Sequence, residues 1–453
     1  MIVASDTIVA PATPPGRGGI GIVRISGSLV LSIAQTILKK PPKTQYVNFC
    51  NFFSANGEII DQGLAIYFCA PRSFTGEDIL ELHCHGGSMI IDILLQRVLM
   101  LGARMARPGE FMERAFLNHK IDLTQAEAVA DLIDATSSQA AQNAVRSLQG
   151  EFSRQVSKLL TMLVSLRASL EATIDFPDDE EIEKLAIESL GSNISNILLQ
   201  IKQLKSTAKQ GAILRDGITV VIAGKPNAGK SSLFNCLSGQ EAAIVTAIPG
   251  TTRDVLHARV QIEDLPVNLL DTAGLRDQPD TIEGEGIRRA WEEIKKADHV
   301  LLVVDAFTSQ DRDPAELQLD FLGAMPKHAR FTVLYNKIDL HSEEARIIKT
   351  NNIDCIYLSI KTQAGLNLLK QHLKERAGFH TVENGFSARR RHLDALDQAE
   401  KYLLNAHHVL LVGSFELVAE DLAQAQRSLG EITGEFTADD LLEKIFSEFC
   451  LGK

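Results

Sequence analysis

The stretch ITVVIAGKPNAGKS, residues 218–231, decides the fold class of this chain. Its first six residues are apolar or β-branched and predict a buried strand, and the apolar spacing of residues 232–237 predicts a helix. Between them, Gly224 and Gly229 allow a tight loop that points successive backbone N–H groups at phosphate oxygens. Lys230 brings a cation to the β- and γ-phosphates, and Ser231 offers a hydroxyl to Mg²⁺. A chance glycine loop is a poor alternative, because strand and helix both stand where the motif requires them.

Two further motifs follow in the order that a GTP site requires. The segment Asp271–Gly274 ends an apolar run, so Asp271 can hold Mg²⁺ through water. Thr251 and Thr252 precede it, where a switch loop would close over the metal. The segment Asn336–Asp339 follows another apolar run, and a carboxylate there can accept two hydrogen bonds from guanine, whereas adenine lacks that pair of donors. Together these motifs predict a GTP-binding domain.

The residues available for catalysis differ from those of many GTPases, whereas the residues for binding do not. Many GTPases carry a glutamine after the Asp-x-x-Gly motif, but this chain has Leu275, whose side chain cannot orient water. Asn227 could instead ligate a monovalent cation, and Glu283 could position water from beyond the loop. Arg253 and Arg276 lie near the motifs in sequence, but solvated charge is the simpler interpretation of both.

The pattern of apolar residues divides the chain into four parts. Residues 1–118 read as a mixed, strand-rich α/β unit with a helix at Met89–Leu101. Residues 217–376 alternate strands and helices, as parallel sheets with helices on both faces do. Residues 119–216 and 377–453 are helical. We therefore expect a multidomain α/β and α+β protein, in which a Ras-like P-loop domain is inserted into an all-α domain.

The sequence also predicts where individual helices of the helical parts begin and end. Apolar residues recur at three- and four-residue steps over 148–170, which predicts one long amphipathic helix. The acidic stretch Asp175–Glu183 should end that helix, and the next helix should begin near Leu190. Thr437 and Asp440 predict a capping box for a last helix.

Composition and charge limit the partners and the compartment. The 453 residues carry 46 Lys and Arg against 58 Asp and Glu, a formal net charge of −12, which disfavours general nucleic-acid binding through phosphate neutralisation. A solvated face explains the basic cluster Arg389–Arg391 most simply, with tRNA contact as the alternative. The six cysteines are scattered, and no membrane-length apolar run or secretory signal is recognisable, so we expect a cytoplasmic protein that spans no membrane.

Five further segments contain residues on which a resemblance to a known family rests. They are Gly16–Gly27, Phe74–Asp78, Arg114–Asn118, Gly430–Gly434 and the tail Phe449–Lys453. With the GTPase motifs, they give essentially the whole chain a resemblance to the MnmE (TrmE) family of tRNA-modification GTPases. The chain departs from the family pattern at Leu451, where isoleucine is usual, and at Ile360, where alanine is usual.

The resemblance implies an activity, partners and cofactors. It implies a potassium-dependent GTPase that works with the FAD protein MnmG, as a heterotetramer or larger complex, to add a (carboxymethyl)aminomethyl group at C5 of the wobble uridine (position 34) of certain tRNAs. The one-carbon donor would be 5,10-methylenetetrahydrofolate, for which 5-formyltetrahydrofolate is a stable analogue. Residues 1–118 would bind the folate and hold a homodimer together, and GTP hydrolysis would drive a cycle of G-domain dimerisation.

The resemblance also implies roles for individual residues. Potassium would be ligated by Asn227, Thr246, Thr251 and the backbone of Ile248, and Mg²⁺ by Ser231 and Thr252. Catalysis would use Lys230, Thr252 and Glu283, the last to place water. The folate would meet Arg24, Glu81, Lys120 and Lys453, and Cys450 is a candidate for chemistry. The expected GTP contacts are Asn227, Ala228, Gly229, Lys230, Ser231, Ser232, Thr246, Ala247, Ile248, Pro249, Gly250, Thr251, Thr252, Asp271, Thr272, Ala273, Gly274, Asn336, Lys337, Asp339, Ser359, Ile360 and Lys361.

The folate assignment has a chemical basis and plainer alternatives. Arg24 and Lys120 could serve the anionic end of a folate, and Glu81 could accept paired hydrogen bonds from the pterin. Lys453 could join them only if the last helix packs back toward the N-terminal unit. The plainer interpretations are an exposed strand carboxylate for Glu81, a solvated lysine for Lys120 and a packed small side chain for Cys450.

Two wider alternatives remain open. A metal site at residues 83–85 is disfavoured, because strand alternation puts Cys84 on the opposite face from His83 and His85. A regulatory GTPase of the ribosome-assembly kind is the alternative function, since such proteins share the P-loop and a hydrophobic residue after Asp-x-x-Gly.

Overall fold

The computed structural model describes most of the chain in two compact units. The described residues are 6–175, 180–239, 256–271, 297–309, 313–317, 330–341, 343–351, 353–380, 385–435, 442, 445–447, 449 and 452. The first unit comprises residues up to Asp134, Ala144–Ile201 and Asp394 onward, and the second comprises Ala135–Asn143 and Lys202–Leu393. The four-part division at residues 118, 216 and 376 remains a proposal.

The first unit contains a sheet of six described strands in the order β3-β4-β5-β2-β1-β6. Its neighbours are antiparallel except β1 and β6, which are parallel. The strands are β1 Ile8–Pro11, β2 Gly21–Ser26, β3 Val47–Phe53, β4 Ile59–Phe68, β5 Ile79–Cys84 and β6 Arg104–Met105.

The two faces of this sheet differ in chemistry because side chains alternate along each strand. Val23 and Leu82 face a core that helices α1 (Val30–Leu38) and α2 (Ser88–Met100) cover. Helix α2 agrees with the predicted helix to within one residue at each end. Arg24 and Glu81, one position along from these core residues, lie on the other face.

The segments predicted to be helical contain long helices, one of which carries the predicted apolar stripe. The described helices of this part of the chain are α3 Glu110–Leu117, α4 Leu123–Ile133, α5 Ser138–Leu148, α6 Glu151–Asp175, α7 Glu180–Asp216, and, near the C-terminus, Arg390–Leu410 and Phe415–Thr433. In α6 the stripe from Phe152 to Leu170 is buried, whereas Leu148, its predicted first member, is the last residue of α5 and is half-buried. Helix α6 packs against helix 415–433, where Arg167 donates to Gln426 over 2.8 Å.

The prediction for the start of α7 was wrong. The helix begins at Glu180, ten residues before the expected Leu190. Acidic residues suit the positive N-terminal end of a helix, so an acidic stretch does not by itself predict a loop. The capping box proposed for Thr437 and Asp440 lies outside the described residues.

The second unit is built on seven described strands in the order β12-β13-β11-β10-β7-β9-β8. The five central strands are parallel, and β8 and β12 pair antiparallel at the edges. The strands are β7 Ile218–Gly224, β8 Leu256–Ile262, β9 Leu265–Asp271, β10 His299–Asp305, β11 Arg330–Asn336, β12 Arg346–Thr350 and β13 Ile353–Tyr357.

Helices cover both faces of this sheet. The described ones are α8 Lys230–Gly239, α9 Ala306–Ser309 and α10 Leu366–Ala377, with a 3-10 turn at Ile338–Leu340. Val220 and Ile222 belong to one core and Val221 and Ala223 to the other, which explains why β7 reads as a continuous apolar run. The C-terminal ends of the parallel strands share one edge of the sheet, so the predicted nucleotide motifs meet there.

The helices α11 (Arg390–Leu410) and α12 (Phe415–Thr433) complete the described elements. Across the part of the chain that the structure describes, no helix has the length and apolar character needed to cross a membrane.

Candidate functional site

The phosphate-binding loop connects β7 to α8 in a strained, compact turn. Gly224 leaves the strand with φ of 149°, Asn227 adopts a left-handed conformation with φ of 64°, and Gly229 has φ of 107°. Lys230 opens α8 and is only 8% exposed, and its Nζ donates to the carbonyl oxygen of Lys225 over 3.0 Å. The lysine therefore folds back along the loop, where it is placed to meet phosphate oxygens.

Asn336 joins this loop to the end of β11. Its Nδ2 donates to the carbonyl oxygen of Ala228 over 2.9 Å, and its Oδ1 accepts from the backbone N of Ile360 over 3.1 Å. The approach is close, since a Cβ at Gly229 would lie 2.3 Å from Asn336 Nδ2. One buried amide thus connects the phosphate loop with the loop that follows β13.

The predicted guanine contacts lie beside Asn336. Ser359 Oγ donates to Asp339 Oδ1 over 2.6 Å, which orients a half-buried carboxylate. Lys337 has φ of 72°, and its Nζ lies 2.8 Å from Asp305 Oδ2 at the end of β10. A carboxylate held by a neighbouring hydroxyl keeps acceptor sites for a base with paired N–H donors.

Two oxygen ligands suited to a hard cation lie at the other end of the loop. Ser231 Oγ donates to Asp271 Oδ2 over 3.3 Å, and Asp271 is fully buried where β9 ends. Hydroxyl and carboxylate oxygens are the donor set that Mg²⁺ prefers, so these residues fit that ion.

Several predicted site residues lie outside the described residues. They are Thr246, Ala247, Ile248, Pro249, Gly250, Thr251, Thr252, Thr272, Ala273, Gly274, Glu283, Cys450 and Lys453. Of the remaining predicted GTP contacts, Ser232 and Lys361 are exposed, whereas Ile360 is 8% exposed.

A second polar cluster lies on the open face of the N-terminal sheet. Arg24 and Glu81 are register partners on β2 and β5, and Arg24 Nε donates to Glu81 Oε1 over 2.9 Å. The other carboxylate oxygen, Oε2, lies 3.3 Å from His83 Nε2. The guanidinium also lies near the rings of Phe74 and Phe111, 5.8 and 5.9 Å from their centroids.

The C-terminal tail reaches this cluster within the same unit. Arg24 NH1 donates to the carbonyl oxygen of Gly452 over 3.3 Å. Gly452 has φ of 88°, and a Cβ there would lie 2.1 Å from the carbonyl oxygen of Pro11, so only glycine fits. This contact joins the backbone of Gly452 to the Arg24–Glu81 pair.

Lys120 lies in the loop that follows α3. Its Nζ donates to the carbonyl oxygen of Pro71 over 2.9 Å. Arg24 and Glu81 also form an ion pair, with 2.9 Å between Arg24 NH2 and Glu81 Oε1.

Sequence reasoning missed a network of ion pairs in the first unit. Arg114, 5% exposed, lies within 3.0 Å of carboxylate oxygens of Asp6, Glu77 and Glu110. Burial alone would raise the pKa of Glu110, but hydrogen bonds from Arg104 and from other donors lower it to about 2. The signal available was a charged residue inside each of two quoted segments, Glu77 in Phe74–Asp78 and Arg114 in Arg114–Asn118.

The strand alternation predicted for residues 83–85 is confirmed for the residues of β5. Cys84 is buried in the core, with its Sγ near the carbonyl oxygen of Gly21, whereas His83 is half-buried on the other face. The exposed His85 contacts Asp61 through Nδ1 over 2.8 Å.

The fold and the site of the second unit define a class of protein. A phosphate loop between β7 and α8, a buried aspartate at the end of β9 and a base-recognition pair after β11 and β13 are the parts of a P-loop GTPase.

Two family models match the chain and together cover most of it. The model for the N-terminus of the GTP-binding protein TrmE matches residues 7–120, and the model for the MnmE helical domain matches residues 123–450. The tRNA modification GTPase MnmE of Marinobacter nauticus is 54% identical over 454 residues, which span 99% of both chains. The protein of the same name from Pasteurella multocida is 52% identical over 452 residues, 99% of this chain and 100% of its own. The chain belongs to the MnmE (TrmE) family.

A solved structure also resembles part of the chain. The G domain of the T. maritima FeoB iron transporter is 27% identical and covers 35% of this chain and 98% of its own. Its TM-score of 0.26 is too low to support an argument about this chain.

Proposed function

We propose that this protein is a GTP hydrolase that acts in tRNA modification. The observation that carries the GTP part is the Asn336 amide, which bonds the phosphate loop on one side and the loop beside the Asp339 carboxylate on the other. The tRNA part is supported by the names of relatives that match along their whole length. Those names favour tRNA modification over a regulatory role in ribosome assembly.

Residues of this chain have distinct tasks in the proposed hydrolysis. Lys230 and the backbone N–H groups of the loop bind the β- and γ-phosphates and orient the bond to be cleaved. Ser231 and Asp271 would hold Mg²⁺, with Thr252 as a further ligand; the ion, when bound, neutralises charge on the phosphate oxygens. Glu283 would place the attacking water, since Leu275 offers no polar group.

Asn227 supports the proposed use of potassium. It is exposed in the phosphate loop, and its backbone is in the left-handed conformation. The remaining K⁺ ligands would be Thr246, Thr251 and the backbone of Ile248. A cation there would supply positive charge in a site that has no assigned arginine finger.

The wider reaction involves a folate and a partner. We propose that 5,10-methylenetetrahydrofolate binds at the Arg24–Glu81 pair, with Lys120 and Lys453 contributing and Cys450 as a candidate for chemistry. The protein would act as a homodimer with the FAD protein MnmG, in a heterotetramer or larger assembly, in the cytoplasm. The product would be a (carboxymethyl)aminomethyl group at C5 of the wobble uridine of certain tRNAs, with cycles of G-domain dimerisation driven by GTP.

A change of base preference tests the GTP assignment. In Asp339→Asn, the amide keeps one acceptor and gains a donor, so it matches xanthine, which has a carbonyl where guanine has an amine. We expect affinity for GTP to fall by about one to two orders of magnitude and affinity for XTP to rise. Calorimetric titration with both nucleotides measures this, and unchanged preference for GTP would contradict the assignment.

The tRNA assignment needs a separate measurement. Mass spectrometry of tRNA from a strain that lacks this gene should show wobble uridines without the modification. Restoration of the modification by the wild-type gene is the control. Unaltered wobble uridines in the deletion strain would disprove the tRNA part and leave the GTPase part standing.

A further inference from the structure

The turn between α1 and β3 is positively charged, in contrast to the chain as a whole. Residues 7–57 contain no Asp or Glu, although the whole chain has a formal net charge of −12. Lys39, Lys40 and Lys43 lie in this turn, and all three are exposed. Among the residues that the structure describes, no carboxylate forms an ion pair with any of these lysines. The turn therefore presents positive charge that is not neutralised by ion pairing.

The backbone of this turn is fixed to the N-terminal sheet. The backbone N of Gln45 donates to the carbonyl oxygen of Tyr67 on β4 over 2.7 Å, and Thr44 forms an isolated β-bridge with the same residue. Lys39 Nζ donates to the carbonyl oxygen of Gly57 over 3.5 Å and lies 3.8 Å from the centroid of the Phe53 ring. A turn that is held in this way loses little freedom when a ligand binds to it.

An exposed aromatic ring lies beside these charges. Tyr46 is 65% exposed, and Lys43 Nζ lies 5.8 Å from the centroid of its ring. The carbonyl oxygen of Tyr46 accepts from Asn48 Nδ2 over 2.9 Å, which fixes the backbone next to the ring. An ammonium group beside an open ring suits single-stranded nucleic acid, because phosphates meet the charge while an unpaired base stacks on the ring.

The other basic cluster of the chain presents less charge to solvent. Arg389 and Arg391 are half-buried, and Arg390 alone of the three is exposed. The turn after α1 is thus the better candidate for contact with RNA.

We propose that the turn of residues 39–46 binds the single-stranded anticodon loop of the substrate tRNA. Lys40 and Lys43 contact phosphates, and a base stacks on the Tyr46 ring. Lys39, which is held by Gly57 and Phe53, adds positive charge and shapes the turn. The proposal rests on the proposed action on tRNA and adds the surface that recognises the loop.

Salt-dependent binding tests the role of charge in the full-length protein. Fluorescence anisotropy would follow a labelled RNA hairpin whose loop is an anticodon loop with uridine at the wobble position. Replacement of both Lys40 and Lys43 by glutamine should weaken binding about 10-fold near physiological salt. It should also reduce the slope of log affinity against log KCl by about 0.7 for each lysine, because fewer counterions leave the RNA. Lys158→Gln, at an exposed position on α6, is the matched control and should change neither quantity.

A second pair of variants tests stacking on the ring. Tyr46→Ala should weaken binding of the hairpin about 10-fold without a change in the salt slope, because the ring contributes stacking and no charge. Tyr46→Phe keeps the ring and should stay within about twofold of the wild type. A fully paired RNA of the same length should bind less tightly than the hairpin, since its bases have no free faces.

Several outcomes would overturn this surface. Wild-type affinity in the double lysine variant or in Tyr46→Ala would do so, as would equal binding of the hairpin and the paired RNA, or no binding of the hairpin to the wild type. Dissociation of these variants into monomers in sedimentation would assign the turn to a subunit interface instead. Lysine-dependent binding to phosphatidylserine vesicles that is tighter than binding to the hairpin would assign it to a membrane surface. The modification state of tRNA in the deletion strain decides the proposed function independently of these results.

Discussion

Single side chains in this protein hydrogen-bond to segments that are distant in the chain. Asn336 is an example, because one buried amide bonds residues that lie 108 and 24 positions away in the chain. Arg24 is another, since it contacts Glu81 on the neighbouring strand and Gly452 at the tail. In both cases a side chain with several donors or acceptors connects segments that local structure alone would not bring together.

The first prediction at this scale concerns potassium and Asn227. GTP turnover should be at least about 10-fold faster in KCl than in NaCl at equal ionic strength. The reason is that a potassium ion against the phosphates would supply the positive charge that an arginine finger supplies in other GTPases. Asn227→Ala should lose most of this difference. Equal rates in the two salts would disprove the potassium assignment, and an unchanged rate in Asn227→Ala would disprove the role of this residue.

The second prediction concerns Glu81. Calorimetric titration with 5-formyltetrahydrofolate should show that Glu81→Ala weakens binding by about 1.5–3 kcal/mol, or one to two orders of magnitude, because a carboxylate–pterin pair is lost. Glu113→Ala is the matched control, since Glu113 forms a surface ion pair with Arg107 and should leave binding unchanged. Wild-type affinity in Glu81→Ala would place the folate elsewhere.

At the scale of elements, strands β10 and β11 and helix α10 enclose two histidines. The hydroxyl of Thr332 lies 2.9 Å from His299 Nε2 and 2.9 Å from His372 Nε2, and all three residues are buried. Burial, followed by the charge of His372, lowers the pKa of His299 to about 3. Burial also lowers the pKa of His372, against the opposing effect of Asp354, which pairs with Arg376.

These histidines predict a loss of stability in acid. The unfolded chain takes up protons near pH 6.5, whereas the folded unit keeps both histidines neutral to lower pH. The contribution of His299 to the free energy of unfolding is therefore full above about pH 6.5 and decreases as the pH falls toward 3, by up to about 1.4 kcal/mol per pH unit. The contribution of His372 changes in the same direction. The effect should appear between pH 7.5 and pH 5.

Urea unfolding at the two pH values checks this prediction. His299→Gln should reduce the pH dependence relative to the wild type, because the substitute does not titrate. His341→Gln is the control, since His341 is exposed and should leave the pH dependence unchanged. The same loss of stability on acidification in wild type and His299→Gln would contradict the assignment.

At the scale of the whole molecule, the proposed dimer is the main test. Strand β3 lies at an edge of the N-terminal sheet and exposes Val47 and Phe49, at 58% and 65%. Exposed apolar edge strands favour pairing with another chain.

Sedimentation equilibrium of the full chain without nucleotide should give a dimer. The substitution Phe49→Lys should raise the dissociation constant of that dimer at least about 10-fold. Leu411→Lys, at a position 73% exposed in the helical part, is the control and should remain dimeric. A monomeric wild type would disprove the constitutive dimer.

Much of the architecture follows from local patterns in the sequence. The strand, glycine loop and helix at residues 218–237 determine a P-loop domain, because each element needs only its own residues to be recognised and their order restricts the topology. The stripe in α6 is equally local, since its periodicity reports one buried face. The start of α7 was missed, because acidic residues are compatible with both a loop and a helix N-terminus.

Other features were decided only by the tertiary structure. The sequence could not show that Arg24 bonds Glu81 and Gly452, that Asn336 bonds Ala228 and Ile360, or that Arg114 pairs with Asp6 and Glu77. Each contact joins residues far apart in the chain, and its distance depends on how strands pair and how loops close over a shared core. Spacing along a chain identifies which chemical groups are available, whereas packing determines which of them meet.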